Sequence, residues 1–148
     1  MPSSAPWGPS MDPRATGLPL VEGTRPILET MNLNKVTRYI GHGTHSIQDT
    51  SEQSTAQTRL IRLMGRFFLK RAYKELLGMT DLIKRSGLNW TIVRFTAPQN
   101  RPKPGHLRVG FYGTNKIGFT VSRADVAAFT ASQVDDDAYI GRAPALSN

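Results

Sequence analysis

Two apolar runs and the helical stripe between them constrain this chain more than any other feature. Val36–Ile40 and Trp90–Phe95 (WTIVRF) are short, β-branched and aromatic, the composition of buried strands. Between them Leu60, Met64, Phe67/Phe68, Ala72, Leu76, Met79 and Ile83 recur at intervals of three and four. That period marks one face of a helix from about Ser54 to Arg85, with Gly78 a point where it can divide. Ser86-Gly87 stops it, since glycine suits the left-handed position after a helix. Parallel strands need a crossover, and a strand, a long helix and a strand supply one. The order predicts α/β layering around parallel central strands.

The flanking segments fit that frame. Residues 1–19 are rich in Pro, Gly and Ser and read as a flexible lead. A helix is expected from Val21, where Thr24 can cap, Pro26 suits only a first turn, and Asn32–Asn34 end the element. Pro98–Pro104 is an exposed connection. Leu107, Val109 and Phe111 alternate, as do Ile117, Phe119 and Val121, around Gly113-Thr114-Asn115, which predicts a C-terminal hairpin. Ser122 and Asp125 form a capping box opening a helix to about Val134, and Ala138–Gly141 is a candidate last strand.

Composition excludes several classes. With 148 residues the chain suits one domain, and no apolar run approaches the ~20 residues of a membrane span. Without cysteine there is no disulfide scaffold, thiolate zinc site or cysteine nucleophile. No basic start precedes an apolar stretch, so no secretory signal is read, and a cytoplasmic setting is expected. The net charge of +8 is local: from Arg59 to Arg108 twelve Lys/Arg stand against Glu75 and Asp81. Dispersed around a helical stripe, these cations read as a solvated face, and no nucleic-acid module accompanies them. His42, His45 and His106 lack Cys or Asp/Glu partners nearby, so no metal site is assigned.

Five runs in order carry a family likeness: EGTRPILETMNLNKVTRYI, GHGTHSI, RSGLNWTIVRF, VSRADVAAF and GRAPALSN. Over roughly residues 20–148 they resemble the atypical short-chain dehydrogenase/reductases, nearest the NmrA-like and flavin/biliverdin-IXβ-reductase-like NAD(P)-binding proteins. The resemblance implies a partial Rossmann-like, doubly wound parallel sheet, matching the family's C-terminal portion. The family's Gly-rich nucleotide turn, which seats pyrophosphate at a helix N-terminus, belongs to an N-terminal half lacking here. Gly41-His42-Gly43-Thr44-His45-Ser46 comes closest to it, with Ser where the last glycine belongs.

The likeness also implies roles. Thr44 occupies the family's Ser/Thr position near the nicotinamide, where a hydroxyl polarises a substrate carbonyl. Tyr73 matches the tyrosine of a Tyr-x-x-x-Lys pattern, but Leu77 stands where the lysine belongs. Thr96, Ala97 and Pro98 match the segment that passes the nicotinamide amide. The expected cofactor is NADP(H) or NAD(H), and the expected reaction is hydride transfer to a small carbonyl or quinone-like substrate, in secondary metabolism by family analogy. Leu77 leaves open a non-catalytic, NmrA-like dinucleotide-binding regulator, and the absent half a truncated, inactive fragment. An exposed edge at Val36–Ile40 further predicts self-association.

Overall fold

The computed structural model describes residues 17–55, 59, 63 and 70–148. Its elements in chain order are α1 (Pro19–Leu33), β1 (Arg38–Gly43), α2 (Lys70–Arg85), β2 (Asn89–Arg94), β3 (Ala97–Gln99), β4 (Arg108–Gly110), β5 (Thr120–Ser122), α3 (Arg123–Ser132) and β6 (Ala145–Ser147). Of the expected lead, residues 1–16 lie outside the described residues, as do Leu60, Met64, Phe67 and Phe68 of the long stripe.

β1 and β2 pair in parallel from Arg38↔Asn89 to Gly43↔Arg94, with α2 between them in sequence, so the expected crossover is present. The four-stranded sheet runs β1-β2-β6-β4, with β6 parallel to β2 and β4 antiparallel to β6. Alternate residues of a strand face opposite sides, and β2 shows it. Ile92 packs with Leu28 of α1 and Met79 and Ile83 of α2, whereas Val93 packs with Val121, Leu146 and Val126 of α3. Helices therefore cover both faces of a Rossmann-like parallel sheet.

Several expectations about elements are corrected. α1 begins at Pro19, two residues before Val21, because Pro19 takes the first-turn slot. Thr24 lies inside the helix, its hydroxyl donating to Leu20 O at 2.6 Å, and so does Pro26. Capping comes from elsewhere: the buried Glu75 of α2 accepts from Leu20 N at 3.3 Å, placing a carboxylate at the positive end of α1. Gly78 does not divide α2. A Cβ there would meet Val21 Cγ2 at 2.9 Å, so this glycine is where the two helices approach. The first strand is shifted to Arg38–Gly43, leaving Val36 half exposed.

The expected hairpin does not zip. β4 pairs with β6, and β5 pairs in parallel with β3 as a separate two-stranded sheet. The turn between them is held by a different neighbour: Gln53 N donates to Tyr112 O at 3.3 Å, and the Thr114 hydroxyl donates to Ser51 O at 2.6 Å. Ala138–Gly141 is a turn ending on Gly141 at φ +71°, and the last strand is Ala145–Ser147. The Ser122 cap forms as expected, its Oγ accepting from Asp125 N at 3.0 Å, but the box does not close: Ser122 N donates to Asn148 Oδ1 at 3.2 Å rather than to Asp125, and α3 ends at Ser132.

Candidate functional site

The carboxyl ends of β1 and β2 lie side by side, Phe95 N donating to Gly43 O at 3.1 Å. Ligands of open α/β sheets bind beyond such ends. From β1 the chain enters a tight turn, with Ile47 N donating to Thr44 O at 3.1 Å and Ser46 N to Thr44 Oγ1 at 3.4 Å. The close fit starts at Gly43, where a Cβ would collide with Ile47 and Ile92 side chains.

That turn separates two clefts. The first, about 400 Å³, is mostly apolar; Leu20, Ile27, Leu76, Met79 and Phe95 line it along with Tyr39, His42 and Thr44. The second, about 440 Å³, is lined by His45, Thr55 and the stretch Tyr112–Phe119. Both lie in the size range of small-molecule sites, ~300–1,000 Å³.

Beside the second cleft stands a compact polar cluster. His45 stacks on Tyr112 with ring centroids 3.8 Å apart and planes 25° from parallel. Its Nδ1 meets the Tyr112 hydroxyl at 3.1 Å and also the Thr96 hydroxyl. The Arg94 guanidinium lies 5.2 Å from the Tyr112 ring centroid. Arg94 itself is fully buried, donating to Ala143 O at 2.6 Å, Ile47 O at 2.5 Å and Glu52 Oε1 at 2.6 Å. Among the described residues its Nη2 has no partner. Burial, then the Arg94 charge, lowers His45 to about 4, so the ring is neutral at pH 7. Burial pushes the Tyr112 phenol up to about 12 against the opposing influence of Thr96 and Arg94, so it keeps its proton.

Of the residues singled out in the sequence, Thr44 borders the first cleft and Thr96 joins the cluster beside the second. Ala97 and Pro98 pass into β3 and line neither cleft. Tyr73 is half-buried on α2 and also lines neither. The partnership of Tyr112 with His45 was not visible in sequence, since 67 residues separate them. His42 lines the first cleft, its ring 3.0 Å from the Thr130 hydroxyl of α3.

A nicotinamide dinucleotide would meet two different environments here. At the carboxyl ends of β1 and β2 the Thr44 hydroxyl beside an apolar cleft fits a flat ring bearing an amide. No Gly-rich turn opening a helix is present among the described residues to seat pyrophosphate. Gly41 and Gly43 lie within β1, their Cβ space taken by Tyr39 and by Ile47 and Ile92. Gly110 is filled by Asn115, and Gly113 by the Gln53 carbonyl.

Comparison with known proteins follows this geometry. The pattern that defines the NAD(P)H-binding family matches residues 8–137. An oxidoreductase from Lactococcus lactis shares the fold with a TM-score of 0.64 and 18% identity, over 90% of this chain and 58% of its own. A short-chain dehydrogenase/reductase from Veillonella parvula, solved in complex with NADP, has a TM-score of 0.67 and 17% identity, over 89% and 60%. An anaerobillin reductase from Escherichia coli O157:H7 has a TM-score of 0.64 and 17% identity, over 90% and 60%. This chain thus spans about 60% of the length of these structures. No curated protein matches it.

Proposed function

The chain belongs to the NAD(P)H-binding family, and from that premise we propose that it is an NAD(P)-dependent oxidoreductase acting on a small carbonyl or quinone-like compound in the cytoplasm. One observation carries the reading. The Thr44 and Thr96 segments lie together at the carboxyl ends of the two parallel strands, where Thr44 borders an apolar cleft. The bound reduced dinucleotide supplies a hydride. Thr44 contributes a hydroxyl to the polarised end of the acceptor. Leu76, Met79 and Phe95 exclude water and so strengthen this contact.

Titration of the full chain with NADPH and NADH, followed by a carbonyl and quinone panel, tests this. Binding with turnover that falls about 100-fold in Thr44→Val is the expected result. Turnover unchanged in that variant would remove Thr44 from the reaction. A second reading, a dinucleotide-binding regulator without catalysis, is favoured by Tyr73 lining neither cleft and by Leu77 one turn later. Binding without turnover would establish it, and absence of binding would overturn both readings in favour of an inactive fragment.

A further inference from the structure

The second cleft is held in shape by bonds that its own wall makes to the rest of the fold. Tyr112–Phe119 supplies most of its lining. Gln53 N donates to Tyr112 O at 3.3 Å, and the Thr114 hydroxyl donates to Ser51 O at 2.6 Å. Asn115 Oδ1 accepts from Phe111 N at 2.9 Å, and Gly118 N donates to Ser147 Oγ at 2.8 Å. The stretch is thereby tied to the Ser51–Gln53 loop and to β6, so a ligand meets a cleft already formed.

What the cleft offers follows from which polar groups are already used. His45 Nδ1 meets the hydroxyls of Thr96 and Tyr112, and those two hydroxyls also hydrogen-bond to each other. A neutral imidazole carries one N–H and one lone pair. With the lone pair on Nδ1, one hydroxyl donates to the nitrogen and the other donates to its neighbour's oxygen, so both protons are used. With the hydrogen on Nδ1, three protons share the triangle and one hydroxyl is left without an acceptor, which is costly where water is excluded. The closed arrangement therefore carries the imidazole hydrogen on Nε2, which has no partner among the described residues.

Lys116 adds an ammonium to the same lining, and no carboxylate pairs with it among the described residues. None of the described lining residues is acidic. Ile117 and Phe119 complete the wall, and Phe119 keeps its ring 61% exposed, 6.4 Å from the His45 ring between centroids. An N–H and an ammonium answer the two oxygens of one carboxylate. An exposed aromatic face asks for a flat apolar body beside that charge. Inorganic phosphate has no apolar surface to set against Phe119, and an uncharged ring leaves the ammonium unanswered.

We propose that the second cleft is a binding site for a planar aromatic carboxylate, its ring against Phe119 and Ile117 and its carboxylate between His45 Nε2 and Lys116 Nζ. The site lies across the β1 turn from the first cleft and does not rest on the oxidoreductase reading. Burial and the Arg94 charge keep His45 neutral at pH 7, so it donates without adding charge. One ammonium and one carboxylate leave the occupied cleft neutral.

Titration of the full chain with 2-naphthoate, followed by nuclear magnetic resonance, tests the proposal. 2-Naphthamide keeps the rings and drops the charge, so it should bind about 5-fold more weakly, and inorganic phosphate should bind more weakly still. Lys116 and Phe119 are exposed, so substituting them spares the fold. Lys116→Gln is expected to raise Kd for 2-naphthoate about 5-fold and Phe119→Ala about 10-fold, with the urea midpoint unchanged. In the free chain the His45 nitrogen signals should place the hydrogen on Nε2, and the bound carboxylate should raise the His45 pKa from about 4. Equal binding of naphthoate and naphthamide, phosphate binding as tightly as naphthoate, or a Kd unmoved in both variants would overturn the proposal. So would a hydrogen on Nδ1, no saturation at millimolar naphthoate, or ligand-induced shifts confined to Leu76 and Met79 of the first cleft.

Discussion

Arg94 places a full charge where the sheet excludes water, and the surrounding residues show what that requires. A buried ion must be paired and hydrogen-bonded, which Ala143 O, Ile47 O and Glu52 provide. Removing one partner leaves the charge uncompensated, so Glu52→Ala is expected to cost about 3 kcal/mol, read from the urea unfolding midpoint. His45, seven residues before Glu52, is held neutral by burial and by that same cation. Its folded value, about 4, lies below its unfolded one of roughly 6.5. The unfolded chain therefore binds the extra proton between them, and this part of the stability is present above about pH 6.5 and lost as pH falls toward 4. Unfolding midpoints at pH 7 and pH 4.5 check it, with a smaller difference expected in His45→Gln. Arg94 was not legible: counted in sequence among the dispersed cations of a solvated face, it is the one charge in WTIVRF and lies fully buried, because its partners come from distant loops. Thr44 was legible as a hydroxyl at a strand end. The phenol of Tyr112 was not, because its meaning comes from a contact across 67 residues that no local pattern encodes.

At the scale of elements, period and punctuation identified the central strands, the described part of the long helix and the capped α3. They failed wherever an element's identity depended on its partner. Alternation around Gly113-Thr114-Asn115 is genuine, but a period of two says only that a strand has two faces and nothing of what it pairs with. β4 found β6, whose three residues are too short to announce themselves. Pro26 misled for a related reason: its aversion to helix interiors is overridden by the packing of α1 on α2, around Leu28 and the close approach at Gly78. The local cost persists, since Pro26 supplies no N–H to the Glu22 carbonyl. Pro26→Ala is therefore expected to stabilise the fold by roughly 1–3 kcal/mol, visible as a higher urea midpoint with an unchanged slope.

For the whole molecule, what stands out is the open side of the sheet. Among the described residues β1 pairs with β2 alone, so its other edge carries unused backbone groups. The parallel layering and its crossover were legible in sequence, and so was this edge, though not its register. We expect concentration-dependent self-association through it, measurable by sedimentation; a monomer throughout the millimolar range would refute the idea.

The register carries a kinetic consequence. Thr37 O and Gly43 O both accept amides from the β2 side, Asn89 N at 2.8 Å and Phe95 N at 3.1 Å. With a period of two, Tyr39 and Gly41 also turn inward, and the amides of Arg38, Ile40 and His42 turn outward. Deuterium should enter this strand as a comb, fast at 38, 40 and 42 and slow at 39 and 41. If a second strand docks there, the fast teeth should slow while the slow ones stay as they were.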